Sequence, residues 1–182
     1  MWGSSWCAFP CEALQQLEAS GLVAVFPKRG TYVSKVGISE LCQMVEVMAE
    51  LEALCARLAT RRADATVLVD IEFALQQCES EATSQDANAY YYANEHFHQI
   101  IYQACGNAFL VQQTTALKNR LESYRRMQLR NRIGQSLAEH RAIVAAIRQG
   151  QPEEAATAAR EHVLIQGQRF TDLMSLSDRA PA

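Results

Sequence analysis

The chain contains only four histidines, His96, His98, His140 and His162. Three of them fall on apolar stripes with helical spacing. In the stripe Tyr90, Asn94, Phe97, His98, Ile101 and Cys105, Asn94 and His98 are four apart and share a helix face. His140 belongs to Leu137, His140, Val144 and Ile147, and His162 to Ala155, Ala159, His162, Gln166 and Leu173. His96 falls off its stripe and is expected at solvent or a rim. A lone imidazole facing a core is commonly a hydrogen-bonded core residue. Three on three segments invite another solution. Each buried ring needs partners for its nitrogens, and one divalent cation serves all three. Histidine-rich sets with an oxygen ligand suit zinc, nickel, iron or manganese. Their ligand nitrogens should lie roughly 3–4 Å apart, given metal–nitrogen distances of about 2.0–2.2 Å. Asn94 would add a weak, neutral oxygen. Spacing leaves open whether the three segments converge.

The segments that carry these residues read as helices. From Ser39, an expected N-cap, a stripe of Leu41, Met44, Val45, Met48, Leu51, Cys55 and Leu58 runs to Arg62. A second helix follows Asp64 with Val67, Leu68, Ile71, Leu75 and Cys78. A third runs from about Asp86 to Cys105 and stops at Gly106-Asn107. A fourth, from about Ala108 to Arg130, carries Leu110, Leu117, Leu121 and Met127. A fifth spans about Ile133 to Arg148 and ends at Gly150. The sixth opens at Pro152, a favoured first helical position, and continues to about Ser175. Short connections imply an all-α, antiparallel bundle of six to seven helices.

The first part has another period. Leu14, Leu17 and Leu22 with Gly21 read as the end of an amphipathic helix. Two β-rich runs follow, Val23 to Phe26 and Thr31 to Val33, around Pro27-Lys28-Arg29-Gly30. This is a hairpin with a cationic tip, too small to bury a core alone. The division expected is 1–36 as this smaller part, 37–176 as the helical domain and 177–182 as a tail.

Composition narrows the function. Apolar residues are 49%, charged residues 20% and the formal net charge is −3, so the chain is not a dedicated nucleic-acid binder. No apolar run reaches the length of a membrane span, and the start does not read as a signal peptide. The six cysteines form no C-x-x-C pair and mostly occupy apolar helical positions, as expected of a reduced, cytoplasmic protein. No nucleophile motif or glycine-rich phosphate loop stands out. Glu139 precedes His140, but helix neighbours point roughly 100° apart, so it does not serve that imidazole as a general base.

The stretches YANEHFHQIIYQACGNAFL and SLAEHRAIVAAIRQGQPEEAATAAREHV resemble the C-terminal effector domain (FCD type) of FadR-type GntR transcription regulators. EVMAELEALCARLA fits the opening of that domain. EALQQLEASGLVAVFPKRGTYVSKV resembles the end of the family's winged helix, with the hairpin as its wing. Together these cover roughly residues 12 to 170. The resemblance implies a divalent metal, zinc, nickel or manganese, held by Asn94, His98, His140 and His162. It implies a small carboxylate or sugar-acid effector beside the metal, a homodimer, and operator DNA as partner of the full-length protein, with Lys28, Arg29 and Gly30 at the wing tip approaching the DNA. Gln166, one turn beyond His162, and Arg125 and Arg126 in the fourth helix are the expected effector contacts, although solvated surface positions are the plainer reading of the two arginines.

Three departures modify that expectation. Asn94 stands where many relatives carry Asp, which removes a negative charge from the site. Met48 stands where many carry an arginine that helps hold an acidic effector. The run Trp6 to Leu14 lacks the arginines with which relatives enter the winged helix, so the DNA-binding part reads as truncated and this chain as a weak DNA binder or a non-DNA-binding fragment. The alternative outside regulation is a metal-dependent hydrolase-like enzyme, since three histidines with open coordination can activate water.

Overall fold

The computed structural model describes residues 23–26, 28–33, 37–84 and 86–177, together with Leu14; the side chains of 23, 24, 33, 38, 128 and 166–177 are outside the description. The chain divides into two units, Met1–Gly37 and Ile38–Ala182.

In the first unit, β1 (Val23–Phe26) pairs antiparallel with β2 (Gly30–Val33), in the register Val23 with Val33 and Phe26 with Gly30. The turn closes through Arg29 N–H to the Phe26 carbonyl at 2.9 Å. Lys28 and Gly30 both take positive φ, 63° and 98°, as a tight hairpin requires. The Tyr32 hydroxyl donates to the Arg29 carbonyl at 2.9 Å and its ring packs edge-on against Phe26. Lys28 and Arg29 are thus held exposed on a braced turn. The expected helix over Leu17 to Leu22 lies outside the described residues, and Leu14 is helical.

Among its described residues the second unit holds helices and short connections and no strand, in agreement with the all-α reading. It comprises α1 (Ile38–Arg62), α2 (Ala65–Thr83), α3 (Ala87–Ala104), α4 (Ala108–Leu129), α5 (Ile133–Arg148) and α6 (Pro152–Ser177). Capping chemistry sets the starts. Asp64 accepts from Val67 N–H, Asp86 from the N–H groups of Asn88 and Ala89, and Asn107 from Leu110 N–H. Gly106 and Gly150 take positive φ at the ends of α3 and α5. Ser39, the expected cap, lies inside the first turn, since α1 begins at Ile38.

Helix α1 is the axis of this unit and packs against α3, α4, α5 and α6. Its residues Leu41, Met44, Val45, Met48 and Cys55 are buried, as the stripe requires. On α4 the phase differs from expectation. Leu110 and Leu121 are buried, but Met127 is exposed and Leu129 takes its place. The buried row runs Leu110, Thr114, Leu121, Arg125, Leu129, and two polar members hide it from a search for apolar residues. Among the described residues, no helix is long and apolar enough to cross a membrane.

Candidate metal centre

Helices α3, α5 and α6 bring His98, His140 and His162 together. Each offers a ligand nitrogen within 4.8 Å of the other two, and all three rings are buried. Their ring centroids lie 4.9–5.1 Å apart. Asn94, one turn before His98, is buried as well, and its Oδ1 finds no hydrogen-bond partner among the described residues. His96 is exposed, as its place off the stripe required.

Two of the imidazoles are held from behind. His98 Nδ1 lies 3.2 Å from Glu52 Oε2, and His162 Nδ1 lies 2.6 Å from Glu139 Oε2. Each carboxylate is in turn held by an arginine: Glu52 Oε1 accepts from Arg125 Nη1 at 3.2 Å, and Glu139 accepts from Arg132 Nη2. Glu52 Oε1 also accepts from the Tyr102 hydroxyl at 2.8 Å. Two Arg–Glu–His relays therefore converge on the cluster, one through α4, α1 and α3, the other through the start of α5 and α6.

The relays decide the tautomer. With Nδ1–H donating to a carboxylate, Nε2 carries the lone pair. His98 Nε2 and His162 Nε2 face each other at 3.3 Å. Two lone pairs at that separation repel unless a cation or a proton lies between them. His140 has neither ring nitrogen partnered among the described residues; its ring stacks on Phe97, centroids 4.3 Å apart. A neutral three-imidazole set with one orphaned ring and an orphaned amide oxygen fits a borderline divalent cation such as zinc or nickel.

Burial favours neutral rings at His140 and His162. Burial, with His162 and His98 adding to it, holds His140 well below its ordinary value. Burial lowers His162 to about 4 against the opposing hydrogen bond to Glu139. Burial alone would raise the Glu52 carboxyl, but His98 and Arg125 outweigh it and hold Glu52 well below the usual carboxylate range. Glu139 is likewise lowered: burial works against the shift, and His162 and Arg132 prevail.

The other expected site residues are distributed as follows. Arg125 is buried rather than solvated, paired to Glu52, with Nη2 unpartnered among the described residues. Arg126 bonds to Asn88 Oδ1 at 3.0 Å and lies 4.9 Å over the Tyr91 ring. The Gln166 side chain lies outside the described residues. Met48 is fully buried. Sequence reasoning missed Glu52 and Arg132, and it weighed Glu139 only against its neighbour His140. The carboxylate instead meets His162 on another helix. The missed signal was a charged residue in phase with an apolar stripe: Glu52 is four after Met48 and three before Cys55.

Residues 43–164 match the family model of the FCD domain. The chain is 26% identical over 165 residues to the HTH-type transcriptional repressor GlaR of Escherichia coli (strain K12), covering 84% of this chain and 74% of that protein. It is 30% identical over 156 residues to an uncharacterized HTH-type transcriptional regulator in an unstable DNA locus of Streptomyces ambofaciens, covering 84% of this chain and 64% of that one. Among solved structures it resembles E. coli McbR/YncC, with a TM-score of 0.76, 19% identity and coverage of 91% and 83%. It also resembles a GntR family member from Pseudomonas syringae pv. tomato str. DC3000, with a TM-score of 0.65, 24% identity and coverage of 91% and 70%.

Proposed function

Because the chain belongs to the FCD-domain, GntR-type transcription regulators, we propose that its helical unit is a metal-dependent sensor of a small organic acid. His98, His140 and His162 would hold a divalent cation, with Asn94 as a neutral oxygen ligand. The observation that carries this reading is the 3.3 Å approach of two Nε2 atoms whose Nδ1 partners are carboxylates. When bound, the cation supplies a Lewis-acidic point to which an effector carboxylate binds.

Charge supports the choice of an acid. The four ligands are neutral, and the nearby carboxylates Glu52 and Glu139 are each paired with an arginine. An anionic effector would balance what the ligands leave. Arg125 is the expected residue best placed to assist, through its remaining Nη2. Glu139 is engaged on both sides and is not a free general base, so the arrangement favours sensing over hydrolysis. Operator DNA is the partner that family membership implies, with Lys28 and Arg29 exposed toward a phosphate backbone, and a homodimer suits paired half-sites.

Calorimetric titration of the metal-stripped chain with zinc tests the reading. One ion should bind per chain, and His140→Ala should weaken it by more than tenfold. A wild-type chain that takes up no zinc, nickel or manganese would overturn it.

A further inference from the structure

Among the described residues, one apolar strip of α1 is left largely uncovered. Val47, Leu51, Leu54 and Leu58 follow the alternating four-three spacing of a coiled-coil seam. Val47 and Leu54 are exposed, and Leu51 and Leu58 are half-buried. A second row lies on α4. Phe109, Ala116 and Met127 share one helix face, and all are exposed, Phe109 to 71%. Arg120, in phase with that row, bonds at 3.0 Å to Glu40, which is in phase with the α1 strip. The two rows therefore border each other.

Contiguous apolar rows of this kind mark an interaction surface, whereas single exposed apolar residues do not. Helices α1 and α4 are about 37 and 33 Å long, with axes about 8–10 Å apart. Their joint outer face is on the order of 600 Å² in projection, near the roughly 800 Å² per partner that a specific dimer buries.

Charge beside the strip sets the orientation of the partner. Glu50 stands ahead of the midpoint of the strip, and Arg57 and Arg61 stand after it on the same flank. Glu50 bonds to Arg160, and both arginines bond to Glu153, with the side chains of Glu50 and Arg57 still reachable by solvent. Two antiparallel copies of α1, with Leu51 of one beside Leu54 of the other, set Glu50 of each within a turn of Arg57 of the other. Parallel copies would set Glu50 against Glu50 and Arg57 against Arg57, which costs affinity. The antiparallel pairing uses one patch on both copies and closes at two, as an isologous dimer does.

Resting on the homodimer proposed above, we propose that the α1 strip and the α4 row are its interface, and that they dock a second copy of this chain with its α1 antiparallel.

Analytical ultracentrifugation of the full chain at micromolar concentration tests this. The wild type should sediment as a dimer. Leu54→Asp should weaken dimerisation about a hundredfold and Phe109→Asp about tenfold, both with unchanged helical content by circular dichroism. Glu50→Arg and Arg57→Glu should each weaken it about tenfold, and the double variant should recover most of that loss, because the charges are then exchanged on both copies. The bonds to Arg160 and Glu153 are lost in the double variant as well, so they do not produce the recovery. A wild-type chain that stays monomeric would overturn the homodimer and this face together. A wild-type dimer that Leu54→Asp or Phe109→Asp leaves intact would overturn this face alone. A double variant no tighter than the single ones would overturn the antiparallel docking.

Discussion

The two relays that hold the histidine cluster use one chemical device in unlike surroundings. On the His98 side, Glu52, Arg125 and Tyr102 are 3%, 8% and 1% exposed, and the carboxylate serves three partners. On the His162 side, Glu139 keeps 15% of its side-chain surface exposed, and its arginine carries unused donors. The first arm is dry and satisfied almost throughout. The second touches water and holds spare hydrogen-bonding capacity. Breaking the first should therefore cost folding energy, and altering the second should chiefly change what the site binds.

The largest effect should come from Glu52→Ala. It strands Arg125, Tyr102 and His98 at once, and should cost about 3–5 kcal/mol in urea unfolding. Glu139→Ala should cost less, about 1–3 kcal/mol, because water can reach its place. Equal losses would erase the distinction between the arms.

Acid should separate the arms next. His162 has a folded value of about 4 against an ordinary 6.5, so protons bind the unfolded chain more readily. For the metal-free chain, the stability tied to neutral His162 is fully present above about pH 6.5. It is lost as pH falls toward 4, with a total on the order of a few kcal/mol. The Glu52 contribution persists through that window, because its folded value lies below the usual carboxylate range, and is lost only at lower pH. Thermal melts at stepped pH should show two phases of loss; stability that is flat from pH 6.5 to 4 would contradict the neutral imidazole.

Milder changes probe orientation. Glu52→Gln and Glu139→Gln keep the shape but remove the charge behind each imidazole, and should each lower zinc affinity about 10–100-fold. The smallest effect belongs to Arg126→Ala, whose contacts are Asn88 and the Tyr91 and Tyr92 rings. It should cost roughly 0.5–1 kcal/mol and leave zinc affinity unchanged. A large loss of zinc affinity there would attach Arg126 to the site.

Much of this was legible in the residues. The stripes of α3 and α5 located Asn94, His98 and His140 on buried faces, because apolar neighbours set the helical phase without ambiguity. The hairpin was legible from Lys28-Arg29-Gly30 between β-rich runs. Legibility failed where polar residues share the buried phase. On α4 the polar Thr114 and Arg125 obscured the row that buries Leu129 in place of the expected Met127, and Glu52 on α1 was missed. A buried charge is recognisable only with its partner, and the partners of Glu52 and Glu139 lie on other helices. Convergence of helices, which spacing does not encode, made the relays.

The central claim is that three imidazoles share one cation, His98 and His162 through Nε2. X-ray absorption at the zinc edge of the zinc-loaded chain tests it most directly. The account predicts a first shell of nitrogen and oxygen at about 2.0–2.1 Å with outer-shell scattering from three imidazoles, falling to two in His140→Ala. A shell dominated by sulfur, or one without imidazole scattering, would contradict it.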